Sequence, residues 1–283
     1  MRRTFVFLAL SGFLFAQEGL QRAEEFYHRT DYKASLALLH SISKQTAASY
    51  GLAGRDWFML GEYKKATDAF QQARALDPTN SEYAHWLGRA YGRRAETSSL
   101  LTAPGHASKA RQYFEEAVRL DPSNGEALND LFDYYLEAPG ILGGGFDKAE
   151  QVARRISERN PAEGHFAQAQ LADRRKQYDT AEDQLRRAME LAPRHVGRVL
   201  DLAKYLAKRG RYAESDAAFD RAEQIAPNAP KVYFARARTY VESKRNLPQA
   251  KVLLIKYLQS NLTPDDPPRE QAEKLLKEAA GGS

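Results

Sequence analysis

Small and large apolar residues recur at helical spacing along much of the chain. From Tyr63, they follow at Ala66, Phe70 and Ala73, and Pro78 ends the run. Steps of three and four residues place these side chains on one face of an α-helix. No run of Val, Ile and Thr alternates with polar residues at the period of two that strands favour. The pattern therefore predicts an all-α chain.

The block at 63–78 returns at 107–122, 178–193 and 212–227, each time ending in proline. A second helical pattern precedes these blocks. It is clearest at 86–91, where Trp-Leu-Gly is followed by Tyr91, and it recurs around Trp57 and at 131–135. The prolines at 193 and 227 are 34 residues apart. Each pair of patterns predicts two helices joined by a short turn.

This arrangement resembles the tetratricopeptide repeat (TPR), a helix-turn-helix unit of about 34 residues. The resemblance extends over roughly 47–260. It implies a right-handed α-α superhelix, the TPR solenoid, of about six repeats with a C-terminal capping helix. The predicted divisions are a signal peptide at 1–16, a degenerate N-terminal helical unit at 17–46, the TPR array at 47–262 and the capping helix at 266–280.

The residue types fit helices that cross closely. We expect small residues at the crossings and phenylalanines in the gaps to the next helix, because only small side chains permit close approach. The expected small residues are Gly88, Ala66, Ala110, Ala181 and Ser215, and the phenylalanines are Phe70, Phe114 and Phe219. The segments 79–82 and 123–126 match the capping-box pattern at a helix start. In the capping helix, Ala272, Leu275, Leu276 and Ala279 share one face.

Two insertions break the repeat spacing, at 97–106 and at 138–145. Both fall at the turn between the two helices of a repeat, and equivalent turns of neighbouring repeats lie about 10 Å apart. The insertions are therefore expected to form one raised edge that binds a partner. Its candidate contact residues are Leu100, Leu101, Ile141 and Leu142. The alternative is that these side chains fold back onto the repeats.

The concave groove lined by first helices is the usual binding surface of the family that the chain resembles. The repeat register places nine residues there, namely Arg55, His85, Arg89, Asn129, Asp133, Lys204, Lys208, Phe234 and Arg238. The set is mostly basic, which favours an extended peptide with acidic residues. The alternative is a solvated charged face. The carboxylate clamp of chaperone-binding relatives is not carried over, since Gly51, Arg55 and Trp86 occupy matching positions. The register near 166–176 stays ambiguous.

Composition narrows the functional classes. The 283 residues include no cysteine, which excludes disulfides, thiolate catalysis and cysteine-bound zinc. The net charge of +5 falls to about +3 without Arg2 and Arg3, too little and too dispersed to indicate nucleic acid. Those two arginines precede an apolar run at 4–15, which is too short to span a bilayer as a helix. The charged start and the short apolar run together predict a signal peptide ending at Ala16. The alternative is an uncleaved helix packed on the first repeat.

No motif predicts a catalytic residue, a metal site or a cofactor. The six histidines lack metal-site spacing, and the glycines at 140–145 are followed by Phe146 and Asp147 instead of the phosphate-loop Lys and Ser/Thr. Ser41 and Lys44 match Ser-x-x-Lys without its companion motifs.

These observations favour a non-catalytic scaffold of the cell envelope, periplasmic or secreted, that binds a protein or peptide. A helical-repeat enzyme or carbohydrate-active domain is the first alternative, with only Asp130, Asp133 and nearby tyrosines to support it. A nucleic-acid-binding helical repeat is less favoured, because of the charge and the export signal.

Overall fold

The computed structural model describes residues 17–281, which form fifteen α-helices and one 3-10 turn without a strand. The predicted signal peptide at 1–16 lies outside the described residues. The chain divides after Gly145 into two compact units, here called unit 1 and unit 2. Within the described range, no helix combines the length and the apolar character that crossing a membrane requires. The predicted all-α fold is confirmed.

The helices of unit 1 are α1 (17–28), α2 (Tyr32–Ser41), α3 (Ala47–Met59), α4 (Tyr63–Leu76), α5 (Ser81–Thr97), α6 (Ala103–Leu120) and α7 (Gly125–Glu137), followed by the 3-10 turn Gly140–Leu142. Those of unit 2 are α8 (Phe146–Arg159), α9 (Pro161–Arg174), α10 (Tyr178–Leu191), α11 (Val196–Lys208), α12 (Tyr212–Ile225), α13 (Pro230–Glu242), α14 (Leu247–Gln259) and α15 (Arg269–Ala279).

Helices that follow each other in sequence pack against each other in both units. The principal pairs are α3 with α4, α5 with α6, α9 with α10, α11 with α12 and α13 with α14. The small residues expected at the crossings are buried, namely Ala66, Gly88, Ala110, Ala181 and Ser215, and so are the phenylalanines Phe70, Phe114 and Phe219. The predicted core of the repeats is therefore confirmed.

Two glycines show how closely the paired helices approach. A methyl group on Gly88 would lie 2.4 Å from the Phe114 ring, and one on Gly54 would lie 2.6 Å from the Phe70 ring. Both contacts are far inside van der Waals distance, so no larger residue fits unless the ring moves. These positions require the small residues of the repeat pattern because of their neighbours.

The two predicted capping boxes are wrong by one residue. Asn80, rather than Thr79, is the N-cap of α5 and accepts from the Glu82 amide, and Asn124, rather than Ser123, caps α7. Thr79 and Ser123 instead bind the side chains of Asp77 and Asp121 two residues earlier. The asparagine caps the helix because the aspartate of the preceding Asp-Pro turn already binds the hydroxyl of Thr79 or Ser123. The next side chain, that of asparagine, is then the one that accepts from the helix amides.

The last helix packs on the final pair. In α15, Ala272 and Ala279 are buried, and Leu275 and Leu276 pack in part against the core of α13 and α14. The Tyr257 hydroxyl of α14 donates to the Pro267 carbonyl just before α15. The apolar face predicted for this helix thus covers the end of the array in unit 2.

Candidate functional site

Unit 2 contains a groove of about 750 Å³ between the first helices of three consecutive pairs, α9, α11 and α13. Its lining consists of Phe166, Ala169, Gln170, Asp173, Leu185, Asp201, Lys204, Tyr205, Ala207, Lys208, Tyr212, Ala235, Arg238, Thr239, Glu242 and Ser243. Most of these residues recur at steps of three and four on each helix. One face of each first helix therefore forms the wall of a shared concavity.

The floor of the groove is apolar and firmly held. Tyr205 is buried, and its hydroxyl donates to the Tyr178 carbonyl at 2.9 Å. Leu185 reaches the groove from α10 and packs in the same buried cluster as Ala169. Because these side chains also belong to the core, the floor is preformed rather than assembled around a ligand.

Three cations and three carboxylates line the walls and pair with one another. Lys208 reaches Asp173 of the neighbouring helix at 2.7 Å, Lys204 binds Asp201 at 2.8 Å, and Arg238 binds Glu242 at 2.6 Å. The carboxylates of Asp173 and Asp201 are largely buried, at 22% and 13% exposed, whereas Lys208 and Lys204 are 64% and 51% exposed. A ligand that enters the groove therefore meets ammonium groups first and these two carboxylates beneath them.

The structure brings Lys204, Lys208 and Arg238 together in this groove, as the repeat register placed them. The sequence interpretation missed their carboxylate partners and the contribution of α9, where the register was ambiguous. The structure resolves that register, because Phe166, Gln170 and Asp173 face the groove. The wall is balanced in charge, in contrast to the mostly basic surface expected.

Phe234 is a correction to the predicted groove. Its side chain is only 5% exposed and packs on the Tyr257 ring, with the ring centroids 5.1 Å apart. The groove-facing residues of α13 are instead Ala235, Arg238 and Glu242. A shift of one residue turns a side chain by about 100° around the helix, which carries Phe234 from the groove into the core.

His85 is the second correction. The repeat register predicts it in the concave groove, but it is fully buried, and its Nε2 lies 2.7 Å from Asp130 Oδ2. Arg89 lies 3.7 Å from the same carboxylate and stacks over Trp86 at 4.4 Å. Since His85 packs under the surface, it joins α5 to α7 and cannot contact a partner directly.

The remaining predicted residues of unit 1 lie nearer the surface. Arg55 is half-buried with its guanidinium 5.6 Å from the Tyr27 ring centroid, Asn129 is half-buried and Asp133 is exposed. Asp130, which the enzyme alternative required, is engaged by His85 and Arg89. Within residues 17–281, no three His, Cys, Asp or Glu side chains are grouped as metal ligands.

A buried carboxyl that the sequence interpretation did not single out joins α2 to α3. Asp56 is fully buried, and its Oδ2 accepts a 2.7 Å hydrogen bond from the Ser35 hydroxyl, while Oδ1 has no hydrogen-bond partner. Burial raises the pKa of Asp56 to about 7, against the lowering effects of the Ser35 hydrogen bond and the Arg55 charge. Asp56 therefore titrates near neutral pH inside the fold.

The first insertion lengthens two helices instead of forming a loop. The helices α5 and α6 have 17 and 18 residues, whereas most of the others have 13 or 14. Four additional residues extend a helix by about 6 Å. The connecting turn at 98–102 carries Leu100 and Leu101, which are 93% and 94% exposed. These two leucines do not fold back onto the repeats.

The second insertion is a glycine turn held against α6. The Tyr134 hydroxyl donates to the Leu142 carbonyl at 2.9 Å, and Gly143 lies against Arg111 of α6 with a φ of +88°. A methyl group on Gly144 would lie 1.8 Å from the Ala138 carbonyl oxygen. Leu142 is half-buried, whereas Ile141 is 93% exposed. We refer to Leu100, Leu101 and Ile141 as the aliphatic tips.

Comparison with known proteins agrees with this architecture. The tetratricopeptide repeat family model matches residues 99–124. A crystal structure of a tetratricopeptide repeat protein from Parabacteroides merdae is similar with a TM-score of 0.60 at 17% sequence identity, over 94% of this chain and 99% of that one. The chain contains tetratricopeptide repeats. The TPR recognition made from the sequence is confirmed.

A second TPR structure, from Thermus thermophilus, is similar with a TM-score of 0.53 at 23% identity, over 71% of this chain and 98% of that one. At these identities the likeness establishes the TPR fold, and the chemistry of the groove must come from the residues of this chain. No curated protein sequence matches this TPR chain.

Proposed function

We propose that this TPR protein is a non-catalytic scaffold that binds an extended segment of a partner protein in the groove of unit 2. The observation that carries the proposal is the concavity of about 750 Å³ that α9, α11 and α13 share. Ligand pockets of a few hundred cubic ångströms with an apolar floor and a small number of placed polar groups are typical recognition sites.

The charges on the walls indicate the chemistry of the segment. Lys204 and Lys208 project above carboxylates that are largely buried, so an acidic side chain of the ligand can approach these two ammonium groups from the solvent side. The exposed carboxylate of the groove, Glu242, is paired with Arg238. Each ammonium group already has a partner, which keeps the electrostatic gain modest. We therefore infer a segment with apolar residues for the floor and at least one carboxylate, bound mainly by burial.

An envelope location is part of the proposal. It is supported by the amino-terminal sequence, in which Arg2 and Arg3 precede the apolar run at 4–15. Fractionation of cells that produce the chain with a carboxy-terminal tag, followed by mass spectrometry, tests it. We expect a protein shortened by its first 16 residues in the periplasm or the medium. An unshortened chain in the cytoplasm would refute this part.

The groove is tested with a displayed library of random peptides and calorimetry on the enriched sequences. We expect enriched peptides to contain acidic and apolar residues. The variant K204E/K208E/R238E should weaken their binding about tenfold or more, since it removes three exposed cations. The control R187E/R221E/K231E changes three exposed cations of unit 2 outside the groove lining and should leave the affinity unchanged.

Two results would contradict the proposed groove. One is a set of peptides whose affinity falls equally in the groove variant and in the control, which would place binding elsewhere. The other is a library that yields no peptide with a Kd below about 1 mM. Circular dichroism of both variants establishes that neither set of substitutions has unfolded the chain.

A further inference from the structure

The aliphatic tips are the most exposed large apolar side chains among the described residues, at 93–94% of full exposure. The other large apolar residues that reach the surface, such as Leu76 and Leu191, are 58% and 55% exposed. The tips all lie in unit 1, on the turns that follow α5 and α7. The second of these turns contacts α6, whose first residue comes two positions after Leu101. Both turns therefore adjoin α6, the first at its amino-terminal end and the second along its side near Arg111.

Basic residues flank the first pair of tips in the sequence. The segment 93–111 contains four cations, of which Arg93 pairs with Glu96 and Arg111 with Glu115, and the other two are Arg94 and Lys109. Arg94 donates to the Thr67 hydroxyl and Lys109 stacks 5.0 Å from the Tyr91 ring centroid, so neither contact neutralises a cation. Burial, followed by the charges of Arg94 and Lys109, lowers the pKa of His106 between them, which keeps this imidazole uncharged at neutral pH.

The chemistry of the tips distinguishes a bilayer from a protein partner. Protein interfaces bury about 20 or more residues on each side, and their strongest contacts come from Trp, Tyr and Arg, with Leu under-represented. Here three aliphatic side chains lie on two narrow turns. A few aliphatic groups that enter the boundary between headgroups and acyl chains, next to basic residues that face anionic lipid, are sufficient for reversible membrane binding.

We propose that the aliphatic tips of unit 1 insert into the surface of an anionic lipid bilayer, with Arg94 and Lys109 facing the headgroups. The lengthening of α5 and α6 raises the Leu100–Leu101 turn by about 6 Å, comparable to the depth at which interfacial side chains lie. The proposal concerns unit 1 and is independent of the peptide groove in unit 2.

Vesicle co-sedimentation tests the proposal. The protein is produced from the full chain, and mass spectrometry records whether residues 1–16 are present, so that wild type and variants are compared in the same form. The vesicles are phosphatidylcholine with about one third phosphatidylglycerol, or phosphatidylcholine alone. We expect L100S/L101S/I141S to reduce binding to the anionic vesicles roughly tenfold or more, and R94E/K109E to reduce it selectively at low salt. The control L76S/L191S should bind as wild type does.

A spectroscopic probe locates the contact directly. Because the chain has no cysteine, L101C provides a unique thiol for an environment-sensitive fluorophore, and L76C in the same unit provides the control. Anionic vesicles should shift the emission of the probe at position 101 to shorter wavelength and leave that at position 76 unchanged. Equal emission at both sites, or equal vesicle binding by wild type and the triple serine variant, overturns the proposal. The proposal is also overturned if the wild type forms dimers that the serine substitutions dissociate and vesicles cause no emission shift at position 101. That pair of results would assign the tips to self-association.

Discussion

The wild-type chain is expected to lose free energy of unfolding as the pH rises, and replacing Asp56 with asparagine is expected to remove that loss. The carboxyl is fully buried between α2 and α3, where the Ser35 hydroxyl donates to one oxygen and the other oxygen has no partner. Burial favours the protonated form more strongly than the Ser35 hydrogen bond and the Arg55 charge favour the ionised form, so the pKa is raised from the ordinary 3.8 to about 7. Asparagine has nearly the same shape but cannot ionise.

The sign and size of the effect follow from linkage between proton binding and folding. Between pH 3.8 and pH 7 the unfolded chain has released the proton of Asp56 while the folded chain retains it, so the free energy of unfolding falls as pH rises. The slope approaches about 1.4 kcal/mol per pH unit. Between pH 5 and pH 8 the wild type is expected to lose about 2–3 kcal/mol through this group, and nothing further above pH 8.

The assay is urea unfolding of wild type and D56N, followed by circular dichroism at pH 5, 6, 7 and 8. The quantity of interest is how the difference in free energy of unfolding between the two proteins changes with pH. Taking this difference cancels the contribution of the other titrating groups, and following its change with pH cancels any fixed cost of the amide. We expect D56N to gain about 2–3 kcal/mol relative to wild type across this range. The variant D68N, at an exposed position of α4, should show no such change.

A difference between D56N and wild type that is constant with pH would refute the reasoning. That result would mean that Asp56 ionises in the folded chain at its ordinary pKa, which requires water or a cation at the oxygen that lacks a partner. The S35A variant adds a second check. Because it removes the hydrogen bond that stabilises the ionised form, it should destabilise the chain more at pH 8 than at pH 5.

Three further substitutions test the packing. G88A should cost about 1–3 kcal/mol of unfolding free energy, because its methyl group meets the Phe114 ring at 2.4 Å. G92A on the same helix has open space around the methyl group and should gain about 0.5–1 kcal/mol. Similar effects from both substitutions would contradict the close crossing. G144A should cost about 1–3 kcal/mol, because its methyl group meets a backbone oxygen at 1.8 Å, while G140A, with nothing within 4 Å, serves as its control. H85F should cost about 1–3 kcal/mol, because it removes the 2.7 Å hydrogen bond and leaves Asp130 only the longer contact with Arg89. Unchanged urea unfolding would show that the hydrogen bond is dispensable.

The sequence was sufficient to predict the fold because the core of a helical repeat is local. The spacing that puts Ala66 and Phe70 on one helix face also determines which side chains pack against the neighbouring helix, and both are buried. A repeat that cannot bury its apolar face alone must stack on the next, so similar blocks along the chain specify the architecture. The aliphatic tips were also visible in the sequence, as apolar residues in insertions without a core position.

The composition of the groove could be predicted only in part. Lys204, Lys208 and Arg238 follow from the repeat register, but the partner of Lys208 is Asp173, 35 residues earlier and on a different helix. Charge pairing across helices depends on the positions of side-chain ends, which the periodicity of a single helix does not contain. The register also fails by one residue at Phe234, where about 100° of rotation separates a core position from a groove position.

The sequence by itself determined the helices, the order in which they pair and the small residues at their crossings, because these depend on spacing within about 34 residues. Only the tertiary structure decided which charged residues of the groove pair, that His85 and Asp56 are buried, and that Leu100 and Leu101 stand free of the repeats. The physical reason is that burial and ion pairing are set by neighbours from other helices, and a single residue of rotation or one additional helical turn changes those neighbours without disturbing the apolar pattern.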